Sequence, residues 1–215
     1  KEWGGSKADA LNGGLNYVQT PLVCAIDGDT LIERDALARI VRPFLEDRRT
    51  VAAGGVLRPL NGCVVEGGRV RSVRVPRNLL AGLQVVEYLR AFLIGRLGWA
   101  ELDMLMIVSG AFGVFRRSTL VEAGGYSARA IGEDMELVVR LHLTERDHGR
   151  DYTITFVPDP VAWTAVPETI RELGRQRHRW QRGLVSSVWL NRRGMLNPRY
   201  GRIGLVAMPY YGILE

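Results

Sequence analysis

Apolar and polar positions along this chain follow two periods. Short unbroken apolar runs, Pro21 to Ile26 and Val51 to Leu57, have the length of buried strands. Between them, apolar residues recur every three to four positions, the spacing of one helix face. Ser6-Lys7-Ala8-Asp9 resembles a capping box and opens a helix with Leu11, Leu15 and Val18 on one side. Asp35 is placed to cap a helix running to about Glu46, and Val64 to Val70 predicts a hairpin turning at Gly67-Gly68. Asn78 begins a long amphipathic helix to about Leu97. Leu105 to Val108 and Ala111 to Phe115 are short strand candidates. A helix is predicted from near Glu133 to before Gly149, then strands over Thr153 to Val157 and Val161 to Thr164, then a last helix from about Glu168 to Leu190. Strands alternating with helices predict an α/β fold with a mainly parallel sheet.

Composition narrows the class. The 215 residues suffice for one good-sized core, or one domain plus an appendage. With 47% hydrophobic and 24% charged residues the chain reads as globular, not disordered. A net charge of +6 suggests an anionic partner: phosphate, nucleic acid or a membrane face. The two cysteines, Cys24 and Cys63, make no disulfide framework and fit a reducing compartment. Cys24 lies inside an apolar run and is expected to be a buried thiol. Ile203 to Leu214 is apolar and uncharged. It is short of the about 20 residues that cross a bilayer, so it reads either as a docked core segment or as the entry to a longer interfacial or membrane helix. The chain opens on Lys1-Glu2, and both ends read as cuts in a longer protein.

Four stretches carry candidate chemistry. Asp27-Gly28-Asp29 ends an apolar strand. At the carboxyl ends of parallel strands, where α/β sheets bind ligands, two carboxylates can hold Mg²⁺ or Mn²⁺. The same triplet is also ordinary turn composition. Glu133, Asp134 and Glu136 crowd a helix start, where acids also suit the helix dipole; a carboxylate there could serve as general base. Asp134 shares a side with Leu137 and Leu141, so it is expected to face a cleft, with Glu136 at the surface. Gln176, Arg179 and Trp180 share a face of the last helix and offer an amide, a forked cation and a flat ring for a sugar phosphate. A solvated basic helix with Trp180 turned inward fits them equally, since nine arginines against one acid, Glu172, lie between Arg171 and Arg202. His178 points elsewhere and is expected at the surface. Ser109-Gly110-Ala111 precedes a strand and permits close approach of a ligand or of another strand.

The order of these stretches is more specific than any of them. "SKADALN", "AIDGDT", "SGAFGVFRR", "GGYSARAIGEDMEL" and "QRHRW" follow one another as in the inverting family 2 glycosyltransferases. The resemblance runs from Lys7 to about Gly183, and is strongest to the membrane polysaccharide synthases that make cellulose, hyaluronan, chitin and poly-N-acetylglucosamine. It implies a GT-A fold, a Rossmann-like, mainly parallel mixed sheet flanked by helices and truncated at both ends. Residues 1–200 would form the catalytic domain and 201–215 the start of an interfacial or transmembrane segment. The family's first strand and helix, and membrane helices on both sides, would lie outside this sequence.

By the same resemblance, a UDP-sugar is the donor and a growing glycan the acceptor. Lys7 and Asn12 would lie near the diphosphate and uridine, Asp27 would contact the donor sugar or ribose, and Asp29, of the Asp-x-Asp motif, would hold Mg²⁺ or Mn²⁺. Ser109, Gly110 and Ala111 would border the acceptor. Asp134 would be the base, with Glu133 beside it. Gln176, Arg179 and Trp180, of the Gln-x-x-Arg-Trp motif, would hold the diphosphate and stack under the acceptor. The protein would sit at the plasma membrane with this domain facing the cytoplasm, and would not bind nucleic acid. Two rival readings are a haloacid-dehalogenase-like phosphatase, whose Asp-x-Asp-x-Thr pattern fails here because Thr30 comes one place early, and a nucleic-acid-binding module built on the basic helix.

Overall fold

The computed structural model describes residues 5–214. Helix α1 (Lys7–Leu15) is capped as predicted, the Ser6 hydroxyl accepting the N–H of Asp9 at 3.1 Å, but it stops short of Val18. Strand β1 (Leu22–Ile26) leads through a tight turn to the two-residue strand β2 (Leu31–Ile32). The helix predicted from Asp35 is two, α2 (Ala36–Ile40) and α3 (Arg42–Glu46), and Asp35 makes no side-chain cap. Pro43 has no N–H to continue the first, so the chain restarts around it. Strand β3 (Thr50–Pro59) precedes the predicted hairpin, β4 (Val64–Glu66) and β5 (Arg69–Ser72). Asn78 caps α4 (Leu79–Glu87), accepting from the Ala81 N–H at 3.0 Å. Wider π turns over Tyr88–Gly95 carry that helix on into α5 (Arg96–Glu101). Then come β6 (Phe112–Arg116), α6 (Arg117–Glu122), α7 (Glu133–Asp147), β7 (Thr153–Thr164) and α8 (Ile170–Leu190).

Five strands form one sheet in the order β1-β6-β3-β7-β2. The expected α/β class holds, but the sheet is not mainly parallel. Only β3 with β7 pairs parallel; β1 with β6, β6 with β3, and β2 with β7 are antiparallel. An apolar run reads the same whichever way its neighbours point, so direction was not legible along the chain. Strands β1, β3 and β7 still share one direction, with β6 reversed between the first two. The two strands predicted over 153–164 are one: Val157 pairs with Gly55 and Val161 with Val56, so residues 158–160 bulge out of the ladder. Leu105 to Val108 forms no strand and is a buried connection, because β6 already occupies the place beside β3.

Both faces of the sheet are covered, as the long apolar run of β3 requires. Ala52 and Val56 face α1 and α7 through Ala8, Leu15, Leu137 and Leu141. Ala53 and Leu57 face α2, α3 and α4 through Ile40, Phe44 and Ala81. A third cluster joins α7 and α8 to the C-terminal turns, where Met135, Val139 and Val188 bury Ile203, Ala207 and Met208. Leu205, Val206 and Ile213 of the same segment stay exposed, so it is docked on one side and apolar on the other. Among the described residues no helix is long and apolar enough to cross a membrane. Cys24 is exposed, contrary to expectation. β1 is an edge strand whose inward residue is Ala25, and the pleat turns Cys24 to the opposite face.

Candidate active site

Ile26 pairs with Phe112, so the acid that follows β1 and the small residues that precede β6 meet at one end of the sheet. The first turns of α1 and α7 close on the same place. Lys7 Nζ lies 2.5 Å from Asp27 Oδ1 and 3.3 Å from Glu133 Oε1. Burial opposes the Lys7 charge, but the Asp27 and Glu133 carboxylates outweigh it and raise the ammonium above its ordinary value. Asp134 accepts the Gly110 N–H at 3.0 Å through Oδ2 and the Met135 N–H at 2.8 Å through Oδ1. A side chain at position 110 would start 2.9 Å from Lys7 Nζ and 3.3 Å from Asp134 Oδ2, so glycine alone leaves the cluster room. Lys7, Asp27, Gly110, Glu133 and Asp134 thus form one constellation.

The other expected site residues are distributed around it. Asp29 is exposed in the turn after β1, where Thr30 N–H bonds back to the Asp27 carbonyl oxygen at 3.0 Å, and it makes no hydrogen bond or ion pair among the described residues. Ser109 and Ala111 are buried in the turn before β6. Asn12 is committed within the protein: its amide donates to the Tyr126 carbonyl oxygen at 2.8 Å and accepts the Tyr126 N–H at 2.7 Å. Gln176 and Arg179 line an open cavity of about 360 Å³ with Glu172 and Arg175, and Gln176 Oε1 is buried with no partner. No hydrogen bond or ion pair joins Gln176 or Arg179 to the carboxylate cluster among the described residues. Trp180 is turned partly inward. It shares a core cluster with Ala111 and Phe112, lies 5.9 Å from the Phe92 ring, and carries the Arg177 guanidinium 4.5 Å above its own.

Two features escaped the sequence reading. Glu136, expected at the surface, is only 3% exposed. Arg140 grips its carboxylate with two bonds of 2.9 Å, and Asn191, just past the end of α8, donates to it at 3.3 Å. Helix periodicity placed Glu136 off the Leu137 face, but α7 is covered on several sides, so that face is interior too. Arg177, next to the three residues that shared a face, bonds Glu87 at 2.6 Å and ties α8 to α4. His178 is exposed, as expected.

A cation would find Asp29 free and Asp27 beside it. Among the described residues no group of three or more His, Cys, Asp or Glu is arranged to hold a metal ion. That donor set suits Mg²⁺ or Mn²⁺, which take one or two carboxylates and complete their shell with phosphate oxygens and water, rather than a metal needing a closed protein cage.

A mixed sheet covered on both faces, with acids at one end of β1 and at the start of α7, defines a GT-A glycosyltransferase domain. Residues 22–213 match glycosyl transferase family group 2, and the chain belongs to that family. It is 31% identical over 179 residues to the poly-beta-1,6-N-acetyl-D-glucosamine synthase of Staphylococcus aureus (strain COL), covering 82% of this chain and 38% of that protein. The synthase of the same name from Staphylococcus epidermidis is 31% identical over 189 residues, covering 85% and 40%. The chain therefore spans about two fifths of the length of these relatives. Among solved structures, a mannosyltransferase from Pyrobaculum calidifontis in complex with GDP-Man and Mn²⁺ superposes with a TM-score of 0.65 at 23% identity, over 97% of this chain and 50% of that one. Family and fold leave the phosphatase and nucleic-acid readings without support.

Proposed function

We propose that this chain is the catalytic domain of an inverting hexosyltransferase that moves glucose or N-acetylglucosamine from a UDP-sugar to a growing glycan. The observation that carries the reading is the Asp134 carboxylate, held by the Gly110 N–H at the end of the sheet beside the Lys7, Asp27 and Glu133 cluster. The names of the staphylococcal relatives favour N-acetylglucosamine.

In this reading the acceptor hydroxyl lies over Ser109, Gly110 and Ala111, and Trp180 supplies the apolar surface beneath its ring. Asp134 takes the hydroxyl proton as the oxygen attacks the anomeric carbon from the face opposite UDP. The Gly110 and Met135 N–H groups keep the carboxylate aimed while it does so. Lys7 faces the diphosphate, and Gln176 and Arg179 approach it from α8, where the forked guanidinium suits phosphate oxygens. Asn12 contributes by holding the Tyr126 loop, and Glu133 by holding Lys7. Asp29, with Asp27 at its side, would hold Mg²⁺ or Mn²⁺, which supplies charge neutralisation for the departing diphosphate; the Mn²⁺ named with the archaeal mannosyltransferase agrees with that choice.

The protein is placed at the plasma membrane, with this domain on the cytoplasmic side. What supports that is the apolar outward side of the C-terminal turns, Leu205, Val206 and Ile213. The test is to supply membranes holding the protein at its natural length with radiolabelled UDP-sugars, one at a time. Incorporation from UDP-N-acetylglucosamine or UDP-glucose, lost with EDTA and with Asp29→Ala, is expected. Incorporation from a GDP-sugar alone would sink the donor assignment, and full activity in EDTA the metal assignment.

A further inference from the structure

An indole on a helix surface can turn between rotamers unless its neighbours hold it. The half-buried Trp180 is held on several sides. The Arg177 guanidinium lies 4.5 Å over its ring, Phe92 stands 5.9 Å away at an interplanar angle of 52°, and Ala111 packs in the same cluster. Arg177 and Trp180 are three residues apart on α8 and so share a face, which brings the cation over the ring. The cation is itself held from another element. Arg177 Nη2 lies 2.6 Å from Glu87 Oε2, on the last residue of α4. Phe92, in the π turns that continue α4, is backed by the Tyr88 ring at 4.3 Å and by the buried Arg96 guanidinium at 4.4 Å. Ring and cation are thus both fixed from one stretch, residues 87–96.

We infer that Arg177 and Glu87 are positioning residues for the acceptor: the pair sets the orientation of Trp180, the surface on which the incoming sugar ring is bound. The inference rests on the proposed acceptor role of Trp180. The pair is built for orientation more than for strength. Its side chains are 33% and 35% exposed, and ion pairs in that setting add little to stability. A cation attracted to an aromatic face, by contrast, acts on the ring itself. The bond to Glu87 also takes Arg177 out of phosphate binding. Arg175 and Arg179 line the open cavity with Gln176, and no ion pair reaches either among the described residues. Neighbouring arginines of one helix therefore divide: those facing the cavity are free for the diphosphate, and the one facing α4 holds the ring. Orientation matters because the acceptor hydroxyl must lie in line with the anomeric carbon, and a misplacement of about 1 Å can cost about 10²-fold in rate.

The experiment measures transfer from the UDP-sugar to a soluble oligosaccharide of the same sugar, by the protein at its natural length in membranes. The variants are Arg177→Met, Arg177→Lys, Glu87→Gln, Arg177→Met with Glu87→Gln, and Trp180→Ala. Arg177→Met should raise the acceptor KM by about five-fold, the size of one cation–π contact, and release more UDP per sugar transferred, with the donor KM unmoved. Arg177→Lys keeps a charge that reaches both partners and should recover most of the loss. Glu87→Gln should act in the same direction, and the double variant should be no worse than Arg177→Met alone, because residues that act as a unit are not additive. Melting temperatures should stay close to wild type, since the ion pair is partly exposed. A raised donor KM, a loss of kcat at saturating acceptor with its KM unmoved, additive losses, or a melting temperature that falls in step with activity would each overturn the inference. A normal acceptor KM in Arg177→Met beside a raised one in Trp180→Ala would overturn it alone. A normal acceptor KM in Trp180→Ala would overturn the acceptor role of Trp180, and the inference with it.

Discussion

Gly132 and Gly183 touch backbone to backbone. A β-carbon on either would lie 3.0–3.1 Å from the α-carbon of the other. Ser187, one turn on, donates to the Gly132 carbonyl oxygen at 3.2 Å. This crossing ties the start of α7, with Asp134, to the middle of α8, three residues beyond Trp180. It sets how far the proposed base stands from the Gln-x-x-Arg-Trp face.

The contact reverses the usual sign of a helix substitution. Replacing a glycine inside an exposed helix by alanine commonly stabilises by about 1 kcal/mol. Gly183→Ala must instead push α8 from α7, and is expected to destabilise by about 1–3 kcal/mol, as other overpacked contacts do. Thermal denaturation measures this; a higher melting temperature would mean that the crossing is slack.

Asp134→Asn keeps the shape and loses the proton acceptor. Turnover should fall by roughly 10²-fold or more while UDP affinity stays nearly unchanged. Glu133→Gln should weaken the Lys7 pairing and so affect donor binding more than turnover. Kinetics alongside UDP titration separate the two, and the opposite pattern would exchange their roles.

Trp180→Ala should impair acceptor engagement and spare part of the donor hydrolysis. An effect of roughly ten-fold on the acceptor KM corresponds to about 1.4 kcal/mol, the size of an aromatic contact. Trp180→Phe should recover part of it, because packing on Phe92 survives. Lost UDP binding with normal chain growth would show the residue serves the donor.

His142 predicts a pH dependence far from the site. It is 2% exposed, with Nε2 2.9 Å from the Leu105 carbonyl oxygen and Nδ1 2.8 Å from the Tyr152 hydroxyl, an arrangement that the neutral ring satisfies. Burial pushes its pKa down to about 4, while in the unfolded chain it stays near 6.5. Below 6.5 the unfolded chain takes up a proton that the folded one refuses. Stability from this group is therefore complete above about pH 6.5 and is lost as pH falls toward 4, by up to about 3 kcal/mol. Denaturant unfolding at pH 7 and pH 5 should show a smaller difference in His142→Gln than in wild type.

Much of this was legible along the chain. Ser6 and Asn78 cap helices because a side-chain oxygen three residues before an N–H satisfies it locally, whatever the rest of the protein does. The hairpin at Gly67-Gly68 and the spans of α7 and α8 follow from the same short-range physics. The order of the acidic, small-residue and Gln-x-x-Arg-Trp stretches pointed to the family to which the chain belongs.

Tertiary structure decided what depends on partners distant in sequence. Strand direction is such a property: a mixed sheet expected to be mainly parallel is mostly antiparallel in its pairings, since pairing is chosen between strands and not within them. Burial is another. Glu136 and Cys24 were each assigned to the wrong environment because helix and strand periods tell which residues share a face, not whether another element covers it. Arg96 had no local signal, being one arginine in an apolar helix. Only the packing of the Phe92 and Phe156 rings around its guanidinium seals it from water, because burial depends on which distant elements cover a side chain and not on its neighbours in sequence.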